Sequence, residues 1–157
     1  MNLKKIIITL SFFLLLSCCY EPIYSKKQIN NNYNFSINSI NLIGDNKVNQ
    51  ILKNKLKKNL NKEEISIEFN LNLDSTIVKT ITTKDKKGNA KRFSIKITID
   101  LKVFESEILK GENKFEEKFE YNNRSNKFNL KQYEKNIIDN LTSELSDKIN
   151  RYLNSIK

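Results

Sequence analysis

The chain has 157 residues, carries 28 Lys and Arg against 18 Asp and Glu for a net charge of +10, and contains no histidine. That length supports one domain with one modest core, and the missing histidine removes Ser-His-Asp triads, the commonest general base and most zinc sites. Three glycines and one proline leave no room for a Gly-rich phosphate loop, and two adjacent cysteines exclude a disulfide-stapled fold.

Residues 1–17 read as an export signal. Lys4 and Lys5 form a basic start, and Ile6 to Leu16 is an apolar run broken only by Thr9 and Ser11. A spanning helix needs about 20 apolar residues, so this run is too short to cross a membrane and suits a cleaved signal. It ends in Leu15-Leu16-Ser17-Cys18. An aliphatic residue three before a cysteine and a small one just before it match the bacterial lipobox. Cys18 is then the acceptor for a diacylglyceryl group and the first residue after cleavage, and several acyl chains anchor stably. Cleavage before Cys19 fits less well, because it puts Cys18 in the small-residue slot. The alternative is a plain secretory signal with a chance cysteine. Without Lys4 and Lys5, 26 basic residues still face 18 acidic ones, a balance that favours anionic partners. Residues 18–34 form the lipidated start and a tether. Ser25 to Asn34 has no apolar period, and ten residues reach at most about 35 Å.

The domain is expected over 35–157. A first strand covers about Phe35 to Ile43. Gly44 breaks it, and Asp45 can cap the helix that follows. From Asn46 to about Asn61 the period is helical, with Val48, Ile51, Leu52, Leu56 and Leu60 on one face. Ile65, Ile67, Phe69, Leu71 and Leu73 then alternate with polar residues, and the strand extends to about Thr82. Lys84 to Asn89 is a turn. Phe93, Ile95, Ile97, Ile99, Leu101 and Val103 mark a third strand. Residues 106–111 turn back through Gly111, and a fourth strand covers Glu112 to Asn122. The last helix places Leu130, Tyr133, Ile137, Leu141, Leu145, Ile149 and Leu153 on one face. Asn129 with Gln132 resembles a capping box, and Phe128 can staple onto Tyr133.

The element order is β-α-β-β-β-α. The first crossover should be right-handed and make its two strands parallel, and the next two connections are hairpins. The expected fold class is α+β: a two-layer sandwich, a four-stranded mixed sheet with two helices on one face. The other face, with Ser66, Glu68, Asn70, Asn72, Ser94, Lys96, Thr98, Asp100 and Lys102, is either simply solvated or a docking face for a polar surface such as the inside of a barrel. Glu68 and Lys96 could pair across strands.

Between Lys84 and Arg92 stand five cations, Lys84, Lys86, Lys87, Lys91 and Arg92, against Asp85 alone. Such a cluster can hold phosphate groups, or it is a solvated turn in a lysine-rich chain. Nucleic acid is a poor partner, because interleaved aromatics are missing and the signal directs export. No catalytic constellation is visible, and no cofactor is called for. The two helical stripes read as core rather than as membrane-surface faces.

Cys18-Cys19-Tyr20-Glu21-Pro22-Ile23-Tyr24 resembles the Cys-Gly-Phe-x-Pro-Leu-Tyr type segment of the LptE-type lipopolysaccharide-assembly lipoproteins of alphaproteobacteria, with Cys19 in place of the usual Gly. The element order is similar, as is the basic turn Lys86-Lys87-Gly88-Asn89-Ala90-Lys91-Arg92-Phe93. The resemblance implies a non-enzymatic lipoprotein of the outer membrane that plugs the barrel of an LptD-type partner and helps insert lipopolysaccharide. It also implies lipopolysaccharide binding near this turn. By position Lys86 or Lys87 corresponds best to the family's basic residue, with Lys91 and Arg92 as neighbours. The alternatives are a lipid-anchored periplasmic binding module without a barrel partner, for which a deep apolar pocket is expected, and a structural subunit of another envelope complex.

Overall fold

A computed structural model describes residues 35–60 and 67–157. Its elements are β1 (Ser36–Gly44), α1 (Asn46–Leu56), β2 (Glu68–Lys84), β3 (Ala90–Glu105), β4 (Ile108–Asn122) and α2 (Lys127–Ser155), with a 3-10 turn at Lys57–Asn59. They form one four-stranded mixed sheet in the order β1-β2-β3-β4. β1 pairs with β2 in parallel, and the other two ladders are antiparallel. The expected α+β sandwich with two helices on one face is the fold observed.

Strand alternation builds the core. Phe69, Leu71 and Leu73 of β2 and Ile95, Ile97, Ile99, Leu101 and Val103 of β3 turn to one side of the sheet and are almost fully buried. Val48, Leu52 and Leu56 of α1 and Ile137, Leu141, Leu145, Ile149 and Leu153 of α2 cover them at helical spacing. Burial of side chains this size contributes about 1.5–3 kcal/mol each, and that term drives the two layers together. α2 has 29 residues. Among the described residues no helix is both long and apolar enough to cross a membrane.

Local signals in the sequence agree with the structure at one helix end and depart from it at three other points. Asp45 is the N-cap of α1, its Oδ1 accepting from the amides of Lys47 and Val48 at 2.9 and 3.1 Å. α1 stops at Leu56 rather than near Asn61, because Leu60 turns extended and bridges to Ile37 of β1. The last helix is capped by Asn126, not Asn129: the Asn126 side chain accepts from the Asn129 amide at 3.0 Å. Phe128 therefore lies inside the first turn, 69% exposed, and not before the cap. Two asparagines three apart satisfy the same capping rule, and the periodicity of α2 does not choose between them. The β3–β4 reversal is a two-residue turn at Ser106 and Glu107, both with positive φ, as tight hairpins require. Gly111 sits within β4 instead. A Cβ there would lie 2.4 Å from the Tyr152 hydroxyl, so this glycine serves the packing of α2 on β4.

The step from β1 to α1 is the tightest point. Gly44 has φ +96°, and a Cβ on it would lie 2.0 Å from the Ser75 carbonyl oxygen. Asp45 N–H donates to that same oxygen at 3.0 Å. The Ser75 hydroxyl reaches Asn49 Oδ1 at 2.8 Å, tying β2 to α1. Gly44→Ala is expected to destabilise the domain by about 1–3 kcal/mol, from a blocked backbone contact as well as an unfavourable φ. A urea melt unchanged from the native chain would show that the β1–α1 step can shift freely.

Candidate functional site

The basic cluster lies at the end of an arm. β1 stops pairing at Gly44 opposite Ser75, while β2 continues for nine residues, Thr76 to Lys84. At about 3.3 Å per residue that carries the hairpin roughly 30 Å beyond the end of β1. β4 accompanies β3 as far as Arg92 opposite Asn122, so only the outermost part of the arm is two-stranded.

Asp85 organises the tip. Its Oδ1 accepts from the amides of Lys87 (2.8 Å) and Asn89 (2.9 Å), and its Oδ2 from the Asn89 side chain (3.1 Å). Gly88 takes φ +84° and donates to the Asp85 carbonyl at 3.0 Å. These bonds, led by that from the Asn89 side chain, hold the Asp85 carboxyl below its ordinary range. Lys86 and Lys87 stand on the turn, and Lys91 and Arg92 open β3. All four are exposed, with Lys84 opposite Ala90 and Arg92 opposite Thr83. The sequence-predicted cations are therefore brought together at one tip. None of the five makes an ion pair among the described residues. Arg92 acts at longer range on Glu120, whose carboxyl is held low first by Lys118. Cys18 lies outside the described residues.

The arm is fixed to the helix layer by a joint that sequence reasoning missed. Lys79 Nζ is 2.6 Å from Glu134 Oε1 on α2 and 4.4 Å from the Phe93 ring centroid. The Tyr121 hydroxyl donates to the same Glu134 oxygen at 2.7 Å. Burial, and then that carboxylate, push the Tyr121 hydroxyl far above its usual ionisation range. Tyr121 also packs on Phe93 and Tyr133, and Arg124 lies over the Tyr133 ring at 4.1 Å. Asn123 closes the base of the tip, its backbone N–H donating to Lys91 O and its side chain to Ala90 O, both at 2.8 Å. The available signal was Lys79 itself, a cation in phase with the inward positions Ile77 and Ile81.

Some charges elsewhere are matched. On the uncovered sheet face Lys96 pairs with Glu116 at 2.8 Å, Lys118 with Glu120 at 2.9 Å, and Lys114 approaches Asp100 and Glu116 at 4.0 and 3.8 Å. The expected Glu68–Lys96 pair does not form. The register sets Lys96 between Val78 and Lys118, and Glu68 opposite Ser36. Ser94 and Thr98, expected on the open face, are buried there by neighbours on both flanking strands. Between α1 and α2 a groove of about 620 Å³ is lined by Ile51, Phe128 and Ile138 with Lys47, Lys131 and Lys135 at its sides. Each of these residues reaches solvent, so the groove is a surface feature and not a deep apolar pocket.

Comparison with known proteins places the fold. Solved lipoproteins share it. A solution structure of lipoprotein B from Nitrosomonas europaea superposes with TM-score 0.59 at 9% identity, covering 82% of this chain and 90% of that one. Rare lipoprotein B from Shewanella oneidensis gives 0.56 at 12% identity, covering 75% and 95%. A minor lipoprotein from Acinetobacter baumannii gives 0.52 at 10% identity, covering 74% and 90%. No family model matches the chain, and no curated protein does.

The geometry of Asp85 makes a pH expectation. Its folded pKa is depressed, so its contribution to the turn is complete above the pKa of the unfolded carboxyl. That contribution is lost as pH falls through the lower folded value. An NMR titration of Asp85 should have a midpoint below that of a linear Lys84–Ala90 peptide. Equal midpoints would mean that the carboxylate does not hold the turn.

Proposed function

We propose that this protein is a non-enzymatic lipoprotein, anchored through Cys18 in the outer membrane, that plugs and supports an LptD-type barrel in lipopolysaccharide assembly. The observation that carries the reading is a conjunction: a lipobox followed by the Cys18–Tyr24 segment, ahead of a domain whose fold is that of solved proteins named lipoprotein B. The chemistry of the surface agrees with such a role. A sheet face that carries ion pairs of Lys96, Lys114 and Lys118 suits contact with a polar, wet wall better than with lipid. A tip whose Lys86, Lys87, Lys91 and Arg92 make no ion pair among the described residues offers charge-assisted donors to the phosphates of lipopolysaccharide. The groove between the helices is open to solvent among the described residues, which gives the binding-module alternative no support of its own.

Extraction of the full-length protein in mild detergent should recover a large barrel protein with it. Recovery as a free lipoprotein, with normal surface lipopolysaccharide in cells that lack it, removes the barrel-plug reading. Separately, replacing Lys86, Lys87, Lys91 and Arg92 by Ala should weaken lipopolysaccharide binding and flatten its salt dependence. The urea melt should stay within about 0.5 kcal/mol, since all four side chains are exposed. Unchanged binding at low salt takes the tip out of the site.

A further inference from the structure

The arm that carries the tip also has an open backbone edge. Asp45 N–H donates to Ser75 O at 3.0 Å, so the backbone polar groups of Ser75 face the β1 side of β2. In a strand the hydrogen-bonding direction alternates residue by residue. Ile77, Lys79 and Ile81 therefore aim their N–H and C=O groups to that same side. β1 has already ended at Gly44, and among the described residues no strand takes its place. Thr76, Val78 and Thr80 point the other way, into the ladder with Thr98, Lys96 and Ser94 of β3. The bulge between Ile81 and Thr83 ends the regular stretch. What remains open is Thr76–Ile81, about 20 Å and one ordinary strand long.

The two long edges of the sheet are treated differently. β4 is guarded in the usual way, by a dense alternation of charge: Lys110, Glu112, Lys114, Glu116, Lys118 and Glu120. The open edge of β2 has β-branched residues and one cation, Lys79. That cation is no guard, because Glu134 and the Phe93 ring hold it toward the helix layer. Val78 and Ile81 are each 51% exposed beside the open row. A lipid or a soluble anion cannot satisfy a row of alternating donors and acceptors. An extended backbone can.

We propose that Thr76–Ile81 docks an extended segment of the protein partner as an added β-strand. The segment is uncharged where it lies beside Val78 and Ile81, and acidic where it reaches Lys84, Lys86 and Lys87. The proposal rests on the reading of this protein as a subunit of a barrel complex and names the surface through which that contact is made. The other occupant such an edge admits is a second copy of this chain, which the test separates.

The test is hydrogen exchange at single-residue resolution, on the full-length protein alone and in the detergent complex with its barrel partner. Alone, the Ile77, Lys79 and Ile81 amides should exchange quickly and the Val78 and Thr80 amides slowly. In the complex the first three should slow by about 100-fold or more, as for amides drawn into a stable ladder. Thr76→Lys with Thr80→Lys, which adds the usual edge guard at exposed positions facing the uncharged Thr98 and Ser94, should lower recovery of the complex about 10-fold while leaving the melt of the free protein unchanged. A complex in which those three amides stay fast, or which forms equally well with the double-lysine variant, overturns the strand addition and leaves the barrel reading standing. If no complex forms, the barrel reading fails and takes this proposal with it. Slow exchange of the three amides in the free protein, together with a doubled mass, assigns the edge to a second copy and overturns the proposal as stated.

Discussion

The fold turns on the contact between Gly44 and Ser75. A Cβ at Gly44 would sit 2.0 Å from the Ser75 carbonyl oxygen, at a φ of +96° that side chains rarely adopt. That closeness lets β1 end abruptly, lets the Asp45 amide take the Ser75 oxygen, and starts α1 at once under the Asp45 cap. Because β1 ends there and β2 does not, the second half of β2 becomes an arm. The position of the basic tip and the openness of the β2 edge both follow from one backbone approach.

An arm of that length needs bracing, and the Lys79–Glu134–Tyr121 joint provides it. A partly buried carboxylate is costly unless its oxygens are satisfied. Here Glu134 accepts from a lysine on β2 and a hydroxyl on β4, so one residue of α2 links two strands that are not neighbours. Phe93, on the strand between them, packs under both partners. The same joint turns Lys79 away from the edge that it would otherwise guard. Bracing the arm and leaving its edge unprotected are thus two consequences of one side chain's placement.

The layers and the strand order were legible in the sequence because period-2 and period-3.6 patterns report burial, and burial is what the fold is built from. Phe69 to Leu73 and Phe93 to Val103 could hardly be read otherwise. Asp45 was legible because a cap is a local device. The start of α2 was not, since Asn126 and Asn129 obey one rule and only tertiary packing separates them. The length of the β2–β3 arm was underestimated at its β3 end because Ala90 to Arg92 has no apolar alternation; pairing with Lys84 and Thr83 holds it in the sheet. Cross-strand register was illegible for a related reason: it is set jointly by the bulges, the two-residue turn at Ser106 and Glu107, and the point where β1 ends. The Glu68–Lys96 expectation failed there. The cations of the tip were visible as a run, but that they stay unpaired is a fact of three-dimensional placement.

That placement separates the tip from the rest of a lysine-rich chain. Lys53, Lys55 and Lys57, Lys58 are also exposed, but they follow or end α1, where the negative end of the helix favours cations. On the open sheet face Lys96, Lys114 and Lys118 have carboxylates within reach on their own or the neighbouring strand. At the tip, Asp85 is spent on the amides of its own turn, and Lys84, Lys86, Lys87, Lys91 and Arg92 make no ion pair among the described residues. The β4–α2 link carries Arg124, whose guanidinium lies over Tyr133, and Lys127 stands at the start of α2, where the positive end of a helix disfavours a cation. The five cations share the end of the domain that the arm projects, with Arg92 acting at longer range on Glu120 of the sheet. Because all five are exposed, solvent and salt screen the repulsion among them, which is how the tip holds them together at small expense to the fold.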